Sequence, residues 1–537
     1  MFILDQYPQF LLPLVLTSLL LVLVPFARRL LNGSRTNATK LLGPPNPSII
    51  FGALPMILKA PGHASDLYNS WIQTYGLAFR VPGPMGSSRI MIFDPRAITH
   101  FYSKETFTYV QTKFTKIFVA NIFGRGLLYA EGESHRRQRK ALSPAFSNAA
   151  IRKLTHVFYD AAHKVKANWD STLDGASGEA MIDVQAWMNH ISLDSIGIAG
   201  FGHDFQSLDG QSSTVVDVFD SFASASDSLV GRILFLLSPV FPWLQHFPTK
   251  QNRLIKKMRA TMERIGDEVL ARNKAEFDGK PIAPEDKSII GLLAKAELGG
   301  TSLAMTREEV VAQMNVLLVA GYETTSISLT WALIELCRKP EKQQRLRDEL
   351  LQAGSSDPTY DQLWSGLPYL DAVAHEILRL HPPVGQTTRV AIEDDVIPFS
   401  EPVKTASGEE VTSIVVKKGD TVTVSIGYTN RSETFWGPNA KEFEPERWLD
   451  PEGLARAKDI QGHRHILTFS DGPRICLGRN FALVEFKAVL AVLIRSFSFE
   501  LPHGPDTEIE THPAIFRRPK NAGEKEPRLV LRVKRLE

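Results

Sequence analysis

Cysteine is almost missing from this chain: Cys337 and Cys476 are the only two in 537 residues. That count excludes a disulfide framework and a multi-cysteine zinc site, and it suits a reducing, cytosol-facing location. An excess of one charge is missing as well. Lys and Arg number 61 against 59 Asp and Glu, a formal net charge of +2, so nothing argues for a nucleic-acid partner. Long apolar runs are scarce. The one that stands out, residues 10–27, is broken only by Pro13, Thr17, Ser18 and Pro25. It is a short but adequate candidate for a spanning helix, which needs about 20 predominantly apolar residues. Arg28 and Arg29 follow it, whereas Asp5 and no Lys or Arg precede it. The positive-inside rule then puts the N-terminus in the lumen and the rest in the cytosol. A cleaved secretory signal is disfavoured, because no basic n-region and no small-residue cleavage site stand before the arginines.

What is there centres on Phe469-Ser470-Asp471-Gly472-Pro473-Arg474-Ile475-Cys476-Leu477-Gly478. A lone cysteine is usually a small core residue, and Cys337, in an apolar helical stretch, reads that way. Cys476 does not. Gly472 and Pro473 make a tight turn just before it, and the chain after it runs on as a helix. Its sulfur therefore sits at a helix N-terminus, where unpaired N–H groups favour a thiolate. Such a thiolate can be an axial haem ligand. Arg474 is placed to pair with a haem propionate, Gly478 lets the helix approach a flat macrocycle, and Phe469 shields the ligand from water.

These ten residues resemble the haem-ligand loop of the cytochrome P-450 family, the haem-thiolate monooxygenases, and meet its pattern Phe-x-x-Gly-x-Arg-x-Cys-x-Gly without a departure. Three further motifs follow the family order. A helix opening at Thr306, with Glu309 completing a capping box, carries Ala320-Gly321-Tyr322-Glu323-Thr324-Thr325 in mid-run, against helix propensity. Thr324 bonding back to a carbonyl one turn earlier would leave room beside Gly321 for dioxygen. The match to the family's oxygen-activation motif implies that Glu323 and Thr324 deliver protons there, with Thr325, about 100° round the helix, facing elsewhere. Glu376-Ile377-Leu378-Arg379 and the later Arg447 match the family's Glu-Arg-Arg cluster, a structural triad. The basic helix over 133–140 carries Arg139 at the family's propionate-binding position. Four residues earlier His135 replaces the usual Trp; an imidazole donates the same bond but titrates near neutral pH. Arg389 matches another propionate ligand. Arg136, Arg137 and Lys140 then form an outward docking patch for an acidic reductase surface.

The fold class expected is mainly α with a smaller β region: a cytochrome P-450 haem-thiolate fold with an N-terminal transmembrane anchor. Residues 1–29 are lumenal N-terminus and anchor, 30–48 a proline-rich hinge, and 49–537 the monooxygenase domain. Strands are expected at Phe79-Arg80-Val81 and Ile90-Met91-Ile92-Phe93, and a long hairpin within 393–423. The apolar segment 229–247 reads either as plain core or, by resemblance to membrane-bound members of the family and as preferred here, as a segment that dips into the bilayer surface. The resemblance implies haem b ligated by Cys476, electrons from NADPH through cytochrome P-450 reductase, cytochrome b5 as a further partner, and residence in the endoplasmic reticulum membrane. Val316, Val319, Ala320, Val384 and Ile515 suggest an apolar substrate pocket for a terpenoid, steroid, fatty-acyl or polycyclic aromatic compound. The tether and hairpin look like fungal members, in secondary metabolism or xenobiotic oxidation. Two rivals stand: a haem-thiolate isomerase or dehydratase needing no external electrons, and a haem-binding protein without turnover.

Overall fold

The computed structural model describes residues 38–60, 64–211, 215–218, 241, 244, 249–277, 288–291, 305–512, 515–524 and 528–536. The anchor run 10–27, with Arg28 and Arg29, and nearly all of the segment 229–247 lie outside the described residues.

The helices that position the site are α1 (Gly132–Leu142), α2 (Asn148–Asp174), α3 (Val184–Phe201), α4 (Lys250–Phe277), α5 (Arg307–Arg338), α6 (Pro340–Gln352), α7 (Pro368–Leu380) and α8 (Arg479–Ser496). Their ends follow local chemistry. The side chains of Ser147 and Asp183 accept the N–H groups that would be orphaned at the starts of α2 and α3. Gly202, at φ 62°, ends α3 in the left-handed conformation. Thr306 and Glu309 form the expected capping box on α5, and Pro340 follows its last turn. By length and composition α5 could cross a membrane, but 78% of its most apolar stretch is buried inside the fold. It is the core helix, lying along α3 and also packed on α7 and α8.

Twelve short strands occur among the described residues: β1 (Ala78–Pro82), β2 (Ser88–Ile92), β3 (Tyr109–Gln111), β4 (Glu179–Asp183), β5 (Thr387–Ala391), β6 (Asp395–Lys404), β7 (Glu410–Val416), β8 (Thr421–Val424), β9 (Phe497–Glu500), β10 (Ile509–His512), β11 (Arg518–Asn521) and β12 (Val530–Arg535). The main sheet runs β1-β2-β8-β5-β3, with β2 parallel to β8 and its other pairs antiparallel. The remaining sheets are β4-β12-β9 and the hairpins β6-β7 and β10-β11.

The stretch read as a hinge is joined to the domain from Thr39 onward. Thr39 N–H donates to Val415 O at 3.2 Å, and Val415 N–H to Thr39 Oγ1 at 2.9 Å. Ala406 N–H donates to Lys40 O at 2.7 Å, and Arg80 N–H to Leu42 O at 2.8 Å. Leu41 is buried in the core beneath the sheet. A Cβ on Gly43 would stand 1.9 Å from Arg80 O, so only glycine permits this approach.

The Glu376 carboxylate of α7 is fully buried and accepts five hydrogen bonds. Arg379 Nε and Nη2 donate at 2.8 Å each, Arg447 Nε at 3.0 Å, and Trp448 Nε1 and Glu444 N–H at 2.9 Å each. Burial alone would push this carboxyl up, but the Arg379 guanidinium, followed by Arg447, holds it below the usual range. Arg379 Nη1 also donates to Asn430 O at 2.9 Å and to Ala440 O at 2.5 Å. The Asn430 side chain in turn accepts from Leu467 N–H and donates to Thr468 Oγ1. The triad therefore holds the segment that leads into Phe469 and Cys476. Arg379→Ala leaves Glu376 and Arg447 mismatched in the core, and breaking a buried pair costs about 3–5 kcal/mol. Denaturant unfolding of that variant should show a loss of this size; a wild-type midpoint would refute the role given to the triad.

Candidate active site

The turn before Cys476 is built as expected. Gly472 has φ 63°, and a Cβ there would stand 2.2 Å from Tyr102 O, so the turn admits no other residue. Cys476 N–H donates to Phe469 O at 2.7 Å, closing the loop over a buried Phe469 ring. Burial pushes the Cys476 thiol up. The Gly478 N–H at the head of α8 and the charges of Arg139 and Arg479 work in the opposite direction. The residue is nevertheless exposed. A sulfur both desolvated and accessible faces a cleft inside the fold. Cys337 is buried in the main core, and burial raises its thiol too.

Basic groups gather around this sulfur. On α1, His135 and Arg139 share a face, and each feels the charge of Arg474. Arg474 Nη2 donates to Glu131 Oε2 and Ala130 O, both at 2.5 Å, while its Nε is buried without a hydrogen bond. Arg389 Nε lies 2.8 Å from the fully buried Glu105. Burial lowers both Arg139 and Arg474. Arg139 has no carboxylate partner among the described residues. Burial first, then Arg474 and Arg139, lower His135 to about 3. Both effects favour the neutral imidazole in the chain by itself. Three guanidinium groups face two carboxylates, so the cluster keeps room for an anion. Gly478 has an ordinary φ of −85° and an open Cβ direction, with Phe146 3.7 Å away, so protein packing does not demand glycine there. An accessible thiol at a helix head, surplus cations beside it and a glycine spared for something outside the chain fit the haem and its propionates.

On the distal side α5 is buried almost all round. Between Val310 and Thr330 only Val316, Leu317, Ala320, Gly321 and Thr324 are not fully buried. Val316, Ala320 and Thr324 recur every four residues and form one face. Thr324 Oγ1 donates to Ala320 O at 2.6 Å, the expected back-bond. A Cβ on Gly321 would stand 2.7 Å from Ile196 Cγ1 of α3. The missing side chain serves the helix crossing. Val319 and Glu323 lie one residue out of phase with the open face. Val319 packs in the core, and Glu323, at 0% exposure, meets Arg518 Nε of β11 at 2.8 Å. Thr325 faces away from the open side, as expected: its hydroxyl and that of Ser192 lie against Glu485 of α8, a carboxyl that burial raises well above its usual range. Val384 is 40% exposed on the segment between α7 and β5, and Ile515 is half-buried against the main core.

The basic helix has two further faces. Arg137 pairs with Glu309, and Gln138 bonds both Glu309 and Gln313, tying α1 to the start of α5. Arg137 thus leaves the docking patch. Arg136, paired with Glu133 at 2.7 Å, and Lys140 stay exposed. Glu105, Glu131, Glu485 and Arg518 are site groups that sequence reasoning missed. Each is an ordinary charged residue locally, and only the fold makes it a partner.

Comparison with known proteins returns one family model, Cytochrome P450, matching residues 42–524. The chain is 57% identical to cytochrome P450 monooxygenase claP of Ampulloclitocybe clavipes, over 98% of each chain. It is 58% identical to claO of that fungus, over 94% of this chain and 95% of the relative. With cytochrome P450 monooxygenase 205 of Postia placenta it shares 36% identity over 88% of each chain.

The α3–α5 crossing carries its own test. Gly321→Ala gains helix propensity but overpacks Ile196, which typically costs about 1–3 kcal/mol. The variant should unfold earlier in denaturant, with partial recovery in Gly321→Ala/Ile196→Ala. A stabilised single variant would show that the crossing is loose.

Proposed function

The chain belongs to the cytochrome P450 family, and from that premise we propose that it oxidises a lipophilic compound of the terpenoid, steroid, fatty-acyl or polycyclic aromatic kind. Membership makes it a haem-thiolate monooxygenase, with haem b as cofactor and an external redox partner as electron source. The observation that carries the substrate reading is the open face of Val316, Ala320 and Thr324 on a helix otherwise sealed by apolar packing. Sites of this kind reward apolar ligands.

In this reading Cys476 holds the iron, and Arg139, His135, Arg389 and Arg474 hold the propionates. Haem, when bound, supplies the activation of dioxygen and the transfer of one oxygen atom to a substrate bond. The chain's own part is to hold, shield and protonate. Val316 and Ala320 press the substrate and exclude water. Thr324 spends its hydroxyl proton on Ala320 O, so it offers lone pairs to the cleft and can hold a water there. The electrons come from NADPH–cytochrome P-450 reductase, with cytochrome b5 as an accessory donor, docking on Arg136 and Lys140. The anchor is residues 10–27, in the endoplasmic reticulum membrane, with the catalytic domain in the cytosol. Arg28 and Arg29 after that run support this orientation. The cellular role is secondary metabolism or xenobiotic oxidation.

A panel of lipophilic compounds screened for spin-state shifts, then for NADPH-dependent product, tests the substrate class. With a compound so found, Thr324→Ala should keep haem content and affinity while product per NADPH falls and hydrogen peroxide per NADPH rises. Acid–base contributions of about 10²–10⁴-fold make such a loss measurable; unchanged coupling would remove Thr324 from the reaction. In the same series Cys476→Ala should lose the red-shifted Soret band of the ferrous carbon monoxide complex.

Arg136→Glu/Lys140→Glu should slow the reductase-driven rate and leave peroxide-driven turnover intact. Arg137 is excluded from that variant because its loss would also disturb the start of α5. An equal fall in both rates would show that these two residues serve the fold.

A further inference from the structure

We propose that the groove between the head of α6 and strand β9 is a second binding site, away from the haem cleft, and that it takes an organic anion with a compact apolar body. The inference is independent of the substrate reading. Cys337, which lines the groove, stands thirteen residues beyond Thr324 on α5, about 20 Å at a helical rise of about 1.5 Å per residue.

The groove encloses about 490 Å³, room enough for a small molecule. Its apolar lining comes from Cys337, Pro340, Phe499, Leu501, Pro502 and Pro505. None of these carries a charge, so the polar groups of the lining decide what is bound.

Arg347 of α6 lines the same groove and is 7% exposed. A guanidinium so far out of water normally has a carboxylate against it. This one, among the described residues, donates only to neutral acceptors. Its Nε meets Ile494 O at 3.0 Å, its Nη2 meets Phe497 O and Gln343 Oε1 at 3.0 Å each, and its Nη1 meets Gln344 Oε1 at 2.7 Å. Those bonds use four of the five N–H groups of the side chain. The fifth, on Nη1, stays beside Gln344 on the exposed rim. Asp348 reaches the guanidinium only through that residue, accepting Gln344 Nε2 at 2.7 Å from its own exposed position.

The other charged groups of the lining balance outward. Glu500 accepts Lys534 Nζ at 2.9 Å, and Arg532 Nη1 lies 3.9 Å from Glu179. One positive charge is therefore left over inside, and a carboxamide stands where a carboxylate of the same shape would cancel it. The positive dipole end of α6, opening at Pro340, adds to the preference. An anion here would complete the Nη1 bonding with a charge-assisted hydrogen bond, while its apolar body covers Phe499 and the prolines.

Naphthalene-2-sulfonate is the probe, with naphthalene-2-sulfonamide as an uncharged body of the same shape. Both are dialysed to equilibrium against holoenzyme whose haem cleft is already filled by an azole on the iron, so that binding at the haem does not count. One equivalent of sulfonate should bind per chain, about tenfold or more tightly than the sulfonamide, because a charge-assisted bond outweighs a neutral one. Gln344→Glu, which sets the missing carboxylate against Arg347, should abolish that preference. Gln344→Trp, which fills the groove from its rim, should abolish binding of both probes. Neither change enters the core, and thermal unfolding of each variant checks that the fold is kept. Equal affinity for the two probes would remove Arg347 from recognition and overturn the proposal. So would an absence of binding to the azole-filled enzyme. Sulfonate binding that survives both variants would overturn it too, by putting the anion on exposed cations elsewhere, such as Arg136 and Lys140. The Soret shift caused by the azole reports on the haem-thiolate reading separately: its absence would sink that reading and leave the dialysis result standing.

Discussion

One buried carboxylate sets the geometry of everything on the cysteine side. Glu376 is wholly out of water, and an ion in that position is tolerable only because five donors surround it. Those donors come from α7 itself and from the segment 444–448. The same Arg379 reaches the carbonyls of Asn430, Ala440 and Glu442. Asn430 then fixes Leu467 and Thr468, and Thr468 donates to Leu378 O of α7 at 2.6 Å. The path closes on itself within two residues of Phe469, whose carbonyl receives the Cys476 N–H. The sulfur is thus located by a ring of polar contacts around a charge far too costly to leave unmatched.

A second ordering principle is the division of labour around α1. One face carries His135 and Arg139 toward the sulfur; another carries Arg137 and Gln138 to Glu309 and Gln313 of α5. One short helix therefore connects the anion-binding side to the N-terminal half of the distal helix. Charge balance separates the two faces. Arg137 is neutralised by Glu309, whereas Arg139 keeps its charge for a non-protein anion.

Local features of this architecture were legible in the sequence, and features that depend on distant partners were not. The capping box at Thr306 and the turn at Gly472 each rest on residues within a few positions, and each stands where expected. The back-bond of Thr324 is equally local. The phase of α5 is different. Apolar and small residues occur on all its faces, so periodicity cannot say which face opens, and Val319 and Glu323 were placed one step out. The partners of Gly321 and Thr325 were not legible for a related reason: Ile196 and Glu485 lie more than a hundred residues away in the chain. The same holds for Glu105, Glu131 and Arg518.

The strand-like clasp on residues 39–42 has a mechanical consequence. These residues bond laterally to Val415, Ala406 and Arg80, so a tug arriving from the N-terminal side meets several hydrogen bonds side by side and strains them in shear. Contacts arranged in that way share a load, whereas contacts in series fail one after another. Torque from that direction is passed at once to the β6–β7 hairpin and to β1, and the domain turns with it as one body. The proline-rich stretch after Thr39 therefore acts as a rigid strut.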